Sequence, residues 1–299
     1  MPSILRYIAV LHIYYYTDPV CPWSWALEPA LRKLSVELGT GLEVSYVMCG
    51  MAREVGDTAP LVSEMLEAAD QSGMPVDARL WLAAPPRSSH PACLAVKAVA
   101  EQGDPGAYVR RLREGLLCRR RKLDTADALI EEARAVPGID VERLRLGLAS
   151  HGVLEAFASD LERCGAVAAE HHSPGTGRVT LPSLEFVGED GSVHGVYGFV
   201  DYGTLRAAAV AAGAGAGAEG GGGVEGGAGV EGGAGGSARP LGIEEALRRF
   251  GTMATPEVAL VCDLPGPRAP AELWRLALEW RVRAERVGSG YLWSLAPGT

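Results

Sequence analysis

Tyr14-Tyr15-Tyr16-Thr17-Asp18-Pro19-Val20-Cys21-Pro22-Trp23-Ser24-Trp25-Ala26-Leu27-Glu28-Pro29 decides how the rest of this chain is read. The apolar, aromatic run from Ala9 to Tyr16 reads as a strand buried on both faces, and Asp18-Pro19 breaks it. Pro22 stands where proline best opens a helix, because the N–H it lacks is one that a first turn leaves unbonded anyway. Cys21 is thereby placed at a helix N-terminus. There the free N–H groups and the positive end of the dipole favour a thiolate, so its thiol pKa is expected to be lowered and its sulfur to be a nucleophile.

Working outward, the helix is expected to run through Trp25, Leu27, Leu31, Leu34 and Leu38 and to stop at Gly39 and Gly41. Leu42 to Met48 alternates and is β-rich, giving a second strand parallel to the first, so that both end on the sheet edge where such folds hold ligands. Cys49 follows directly on that strand and should lie near Cys21. It is the candidate resolving thiol, weighed against the commoner role of a free cysteine as a small hydrophobe. Trp23 is a candidate for lining a groove, whereas Trp25 reads as core.

From about Thr58 to His172 the apolar spacing is helical, punctuated by Gly73-Met74-Pro75, Pro85-Pro86, Gly103-Asp104-Pro105 and Pro137-Gly138. Arg110, Arg111, Arg113 and Arg119 to Lys122 form one basic cluster, read as the solvated face and end of a helix. His171 and His172 read as exposed loop, and His90 as a local group at a helix start. Val179 to Val187 reads as a strand led in by Pro182, with Ser192 to Tyr197 as its partner across a turn and a last helix over Asp201 to Ala212.

The motif D-P-V-C-P-W-S-W-A-L-E-P resembles the D-P-x-C-x-x-C-W-A-L-E-P pattern of the DsbA-like branch of the thioredoxin superfamily, in particular its FrnE-like proteins and the ClpXP adaptors called SpxH or YjbH. Ser24 stands where the second cysteine is usually found. The stretch Ser88-Ser89-His90-Pro91-Ala92-Cys93-Leu94-Ala95-Val96-Lys97-Ala98 is similar to S-x-P-A-C-x-A-x-K-A of the same group. The resemblance implies an α/β thioredoxin-like fold of DsbA type over residues 1–212, with a helical insertion at about 58–172. It further implies that Pro182 is a cis-proline packed against Cys21, and that Leu181 is the neighbour whose backbone pairs with an incoming peptide.

Three functions follow from that resemblance. In the first, Cys21 attacks a protein disulfide, or accepts glutathione or another low-molecular-weight thiol from its disulfide, displacing the other sulfur as a thiolate, and a second thiol must release the mixed disulfide. Ser24 would stabilise the thiolate, and Pro22, Trp23 and Leu181 would contact the substrate. In the second, the groove presents a client polypeptide to a Clp-type protease and chemistry is dispensable. The third and weakest is the glutathione-dependent 2-hydroxychromene-2-carboxylate isomerase and kappa glutathione transferase group, which has serine at the place of Cys21. No tightly held cofactor is implied.

The 299 residues, 47% hydrophobic and 22% charged, suffice for a sizeable core and a second small unit. A net charge of -9 argues against a protein built to hold nucleic acid or an anionic membrane. Met1 to Ile8 is read as a short leader to the first strand, not a cleaved signal, and no run approaches the ~18 apolar residues of a spanning helix. A cytoplasmic chain is therefore expected. Its six scattered cysteines favour free thiols, and no cysteine or histidine pair has zinc-ligand spacing.

Residues 213–239 are read as a flexible low-complexity tether spanning roughly 25 to 30 Å if random. Beyond it, Leu241 to Phe250, a helix opened by Thr255-Pro256-Glu257, Ala271 to Arg281, and a hairpin of Val282 to Val287 with Tyr291 to Leu295 suggest a winged-helix-like module over 240–299. From Arg239 onward eight arginines meet seven acids, which favours protein contact or docking on the first unit over DNA.

Overall fold

The computed structural model describes residues 10–214 and 240–298. The leader and, apart from Gly213 and Ala214, the expected tether lie outside the described residues.

Strand β1 (Leu11–Thr17) runs through the middle of a four-stranded sheet of order β2-β1-β3-β4, with β2 (Leu42–Met48) parallel to it and β3 (Ser183–Val187) antiparallel on its other side. Strand β4 (Val193–Tyr197) closes the order against β3. Alternate residues Leu11, Ile13 and Tyr15 of β1 face a core made with Leu184 and Phe186 of β3 and with Leu27, Leu34 and Leu205 of the covering helices. The helix expected from Pro22 to Leu38 is in fact two, α1 (Pro22–Ala26) and α2 (Glu28–Leu38). Pro29 is the reason, since it has no N–H to give to the preceding turn. The strand expected from Val179 begins only at Ser183, because the stretch before it is held by other bonds.

Between β2 and β3 lie seven helices: α3 (Ala59–Ser72), α4 (Arg79–Ala83), α5 (His90–Ala100), α6 (Gly106–Arg113), α7 (Ala126–Arg134), α8 (Val141–Gly147) and α9 (His151–Ala166). They share one core, in which Trp81, Val96, Tyr108, Leu112 and Leu116 are fully buried. This is the thioredoxin-like sheet with a large helical insertion. α6 runs on into a π-type turn over Glu114–Cys118, and α10 (Tyr202–Ala211) packs beside β4.

The C-terminal module has the winged-helix-like order α11 (Ile243–Phe250), β5 (Met253–Ala254), α12 (Thr255–Val261), α13 (Arg268–Leu278), β6 (Val282–Val287) and β7 (Gly290–Leu295), with strands ordered β5-β7-β6. Ala254, not Thr255, is the cap of α12, and the Thr255 hydroxyl instead accepts from Trp293 Nε1 at 2.9 Å. The module is seated on the first unit. Ala254, Val287 and Leu292 enter the helical core, Val36 of α2 enters the module's core, and the hairpin tip bonds to Val76 through Ser289. Gly288 is needed there because a Cβ would overlap the Val76 carbonyl.

Only part of the basic cluster is the solvated face that its spacing suggested: Arg120, Arg121 and Lys122 are exposed, whereas Arg110 and Arg113 are buried. Arg110 is 8% and Arg113 1% exposed, and both sit in an ion-pair network that crosses between the units. Glu257 of α12, fully buried, meets Arg110 at 2.8 Å and Arg32 at 3.1 Å, while Arg110 also meets Glu114 at 2.8 Å and Glu28 at 3.6 Å. Acids brought from α2, the π turn and α12 make burial of these cations tolerable.

Candidate thiol and peptide site

Cys21 is the N-cap of α1, in extended backbone, and its Sγ accepts the Ser24 N–H at 3.4 Å. The helix-start placement is therefore as the sequence predicts, but the expected effect on the thiol is not. Cys21 is 2% exposed and burial pushes its pKa up, against the downward pull of Ser24 and Arg113 and with a further upward push from the Asp18 carboxylate. Removing sulfur from water disfavours the thiolate by more than one short helix restores. Cys21 is expected to react with iodoacetamide at neutral pH at least about tenfold more slowly in the native chain than in urea, read by peptide mapping over time. Equal rates would show that the sulfur is open to solvent.

Ser24, fully buried, does not point a free hydroxyl at solvent: its Oγ accepts from Thr17 Oγ1 at 2.8 Å. Thr17 Oγ1 in turn accepts from Arg113, which also donates to the Tyr15 hydroxyl at 3.3 Å and to Glu28. Arg110 lies over the Trp25 ring at 4.2 Å, and Trp25 Nε1 donates to the Pro75 carbonyl at 2.9 Å, so Trp25 is core. The motif thus rests on the same charge network that holds the C-terminal module.

The Leu181-Pro182 peptide bond is cis. Tyr16 pairs with Ser183, so one step further the antiparallel register sets Thr17 opposite Pro182 and brings this bond to the mouth of the strand that leads to Cys21. Thr180 and Pro182 are engaged: the Thr180 N–H donates to the His171 carbonyl at 2.8 Å and the Pro182 carbonyl accepts from Gly198 at 2.9 Å. The Leu181 N–H and carbonyl have no partner among the described residues, and its side chain is half-buried. Pro22 is buried, whereas Trp23 is half-buried and packs on the half-buried Phe199 ring at 5.5 Å. Phe199 follows β4 in a stretch that had no reading of its own.

Cys49 lies at the same sheet edge as expected, its N–H donating to the Thr17 carbonyl at 2.9 Å. It is not a free resolving thiol. Its sulfur is bonded to Cys164 of α9, with the two Cα atoms 6.0 Å apart across a sequence separation of 115, which also corrects the expectation that all six cysteines are free. Cys21, Cys93, Cys118 and Cys262 are free and buried. Arg178 donates to the carbonyls of Cys49 and Met51, bracing the same edge. His171, read as exposed loop, stacks on Tyr197 at 3.8 Å, and His90 opens α5 against the Phe157 ring. Thr17, Glu28 and Phe199 had no sequence signal beyond their types, and Arg113 stood only in a basic cluster read as solvated.

A thioredoxin family model matches residues 14–172, which span this site and the helical insertion. The chain belongs to the thioredoxin family. Among curated proteins it is similar to the ClpXP adapter protein SpxH of Halalkalibacterium halodurans, 27% identical over 95% of this chain and 88% of that protein. It is also similar to SpxH of Bacillus subtilis, 24% identical over the same shares. Among solved structures, a candidate protein disulfide isomerase from Nitrosomonas europaea covers 68% of this chain and 97% of its own at 18% identity and a TM-score of 0.56. The cytosolic disulfide reductase DsbM of Pseudomonas aeruginosa covers 67% and 94% at 19% identity and a TM-score of 0.50. At such identities these structures speak for the fold. No helix among the described residues of this thioredoxin-family chain is long and apolar enough to cross a membrane.

Proposed function

We propose that this chain is a client-presenting adaptor whose thioredoxin groove holds an extended polypeptide for a Clp-type protease. The observation that carries the reading is the closed-in sulfur of Cys21 beside an open peptide edge: 2% exposure at the thiol, against unpaired Leu181 backbone and a half-buried Trp23–Phe199 pair. Strand addition at Leu181 needs main-chain groups and side-chain pockets but no reactive sulfur. Ser24 in place of a second motif cysteine and the engagement of Cys49 by Cys164 remove the two sequence candidates for a thiol partner of Cys21 in a redox cycle. Similarity to proteins named as ClpXP adapters runs through both units of the chain, not the thioredoxin unit alone. A cytoplasmic location belongs to this proposal and rests on the likeness to proteins named as ClpXP adapters.

The second reading, monothiol exchange, is favoured by the Ser24 N–H aimed at Cys21 Sγ and by Arg113 close enough to pull the thiol downward. In it Cys21 would displace one sulfur of a disulfide as a thiolate, and a low-molecular-weight thiol would later free Cys21. Capture of clients on a proteolytically inactive ClpXP separates the two. Cys21→Ala is expected to deliver the same clients as wild type and Leu181→Asp to lose them by at least about tenfold, since a buried carboxylate opposes peptide docking. Loss of the clients with Cys21→Ala, or trapped mixed disulfides at Cys21, would establish the exchange reading instead.

A further inference from the structure

The Cys49–Cys164 disulfide lies against the peptide edge. It joins the residue after β2 to the last turn of α9, and both cysteines belong to a small buried cluster with Tyr16, Val47 and Val179, on which the half-buried Leu181 packs. From Val167 to Pro182 the chain is loop, apart from a short helical turn over Ala169–His171 and one bridge of His172 to Val179. A loop of this kind takes its shape from what it is tied to.

Its ties run to the two bonded cysteines. The Val179 N–H donates to the Cys164 carbonyl at 3.1 Å, and Arg178 Nη1 donates to the Cys49 carbonyl at 2.9 Å. Arg178 and Val179 thus sit in a saddle whose two sides the S–S bond holds together, and Leu181 follows two residues on. Earlier in α9 there are ties that need no sulfur: Asp160 accepts the Met48 N–H at 2.8 Å, and Arg163 donates to the Tyr16 hydroxyl at 3.0 Å. Cutting the disulfide therefore leaves α9 in place and frees only its end and the saddle.

In the cytoplasmic setting proposed above a disulfide is seldom permanent, and those that occur there are mostly transient or redox-sensing. We infer that Cys49–Cys164 is a redox clamp on the peptide edge. A cellular dithiol reduces it to two thiols and is itself oxidised to a disulfide, so that two electrons and two protons pass to the cysteine sulfurs. The Leu181 edge then loses its set shape until a disulfide oxidant takes the same electrons back. This control of the groove rests on the adaptor reading, so its test includes a readout that needs no client.

The test compares the full chain poised with oxidised and with reduced dithiothreitol. Alkylation in urea should count four thiols in the first state and six in the second. Hydrogen exchange of the Val179 and Thr180 amides is expected to be at least about tenfold faster after reduction, while α13 of the C-terminal module exchanges alike in both states. The double variant Cys49→Ala with Cys164→Ala should show the fast exchange at either poise. Client capture on inactive ClpXP is expected from the oxidised chain and should drop by at least about tenfold after reduction, because a loosened edge must be ordered again by each client. Six thiols in both states, equal exchange at the edge or equal capture overturns the inference. Exchange that quickens throughout the chain also overturns it, since the bond would then be a general staple. Capture by neither state would refute the adaptor reading instead, with the two edge amides still deciding whether the clamp exists.

Discussion

Glu257→Ala is expected to lower the unfolding free energy by about 3 to 5 kcal/mol, the cost of stripping a buried ion pair of one partner. The side chain has no exposure, and its two oxygens serve four donors: Arg110 Nη1 and Nη2 at 2.8 and 3.0 Å, Arg32 Nε at 3.1 Å and the Ala254 N–H at 2.5 Å. Alanine leaves two guanidinium groups in a dry interface with only Glu28 and Glu114 nearby, and also removes the bond that starts α12. Because the network joins α12 to α2 and α6, the C-terminal module should be released as well as weakened. Urea unfolding measures the loss, and limited proteolysis near residue 240 should quicken in the variant. A loss under about 1 kcal/mol, or undiminished protease resistance, would show that the apolar contacts hold the module by themselves.

Arg113→Met comes next, at about 2 to 4 kcal/mol, and carries a pH signature. Burial raises the Glu28 carboxyl, but Arg113, Arg110 and Arg32 together outweigh it and hold its folded pKa below the usual carboxylate value. A depressed folded pKa means stabilisation that is present above the unfolded carboxylate pKa and lost as pH falls through the folded one. Methionine removes the nearest cation, so Glu28 moves back up and contributes less at neutral pH. The stability gap between wild type and Arg113→Met should therefore be widest at neutral pH and narrow on acidification below about pH 4.5, roughly the unfolded pKa. Urea midpoints across that range are the measurement; a gap that stays constant would mean that Arg113 acts by packing on Tyr15 and Thr17 alone.

Both predictions concern residues whose importance spacing along the chain does not reveal. Arg110 and Arg113 sit three apart in an Arg-rich helix end, a pattern that most often faces water, and nothing local tells them from the exposed Arg120 and Arg121. What separates them is the arrival of Glu28 from α2 and Glu257 from α12, each far away in sequence. The same holds for Cys49, whose position at the strand end was legible while its pairing with Cys164 was not, since 115 residues intervene and α9 must first fold back on the sheet.

The thiol shows where local reasoning stops. That Cys21 caps a helix follows from Asp18-Pro19 and Pro22 and is what the structure has. Whether the dipole or desolvation governs its pKa depends on how deeply Thr17, Ser24 and the helical insertion enclose it, and burial prevails.

Taken alone, the order of residues determined the strand–helix–strand opening, the helical insertion, the hairpin of the C-terminal module and the cap at Cys21, because periodicity, proline and glycine act over a few residues. The tertiary structure alone decided that the sulfur is shut away, that Arg110 and Arg113 lie inside and that the module is locked to the first unit. Each of these depends on groups from separate elements meeting in a space without water, where an unpaired charge or a solvent-stripped thiolate costs too much to stand alone.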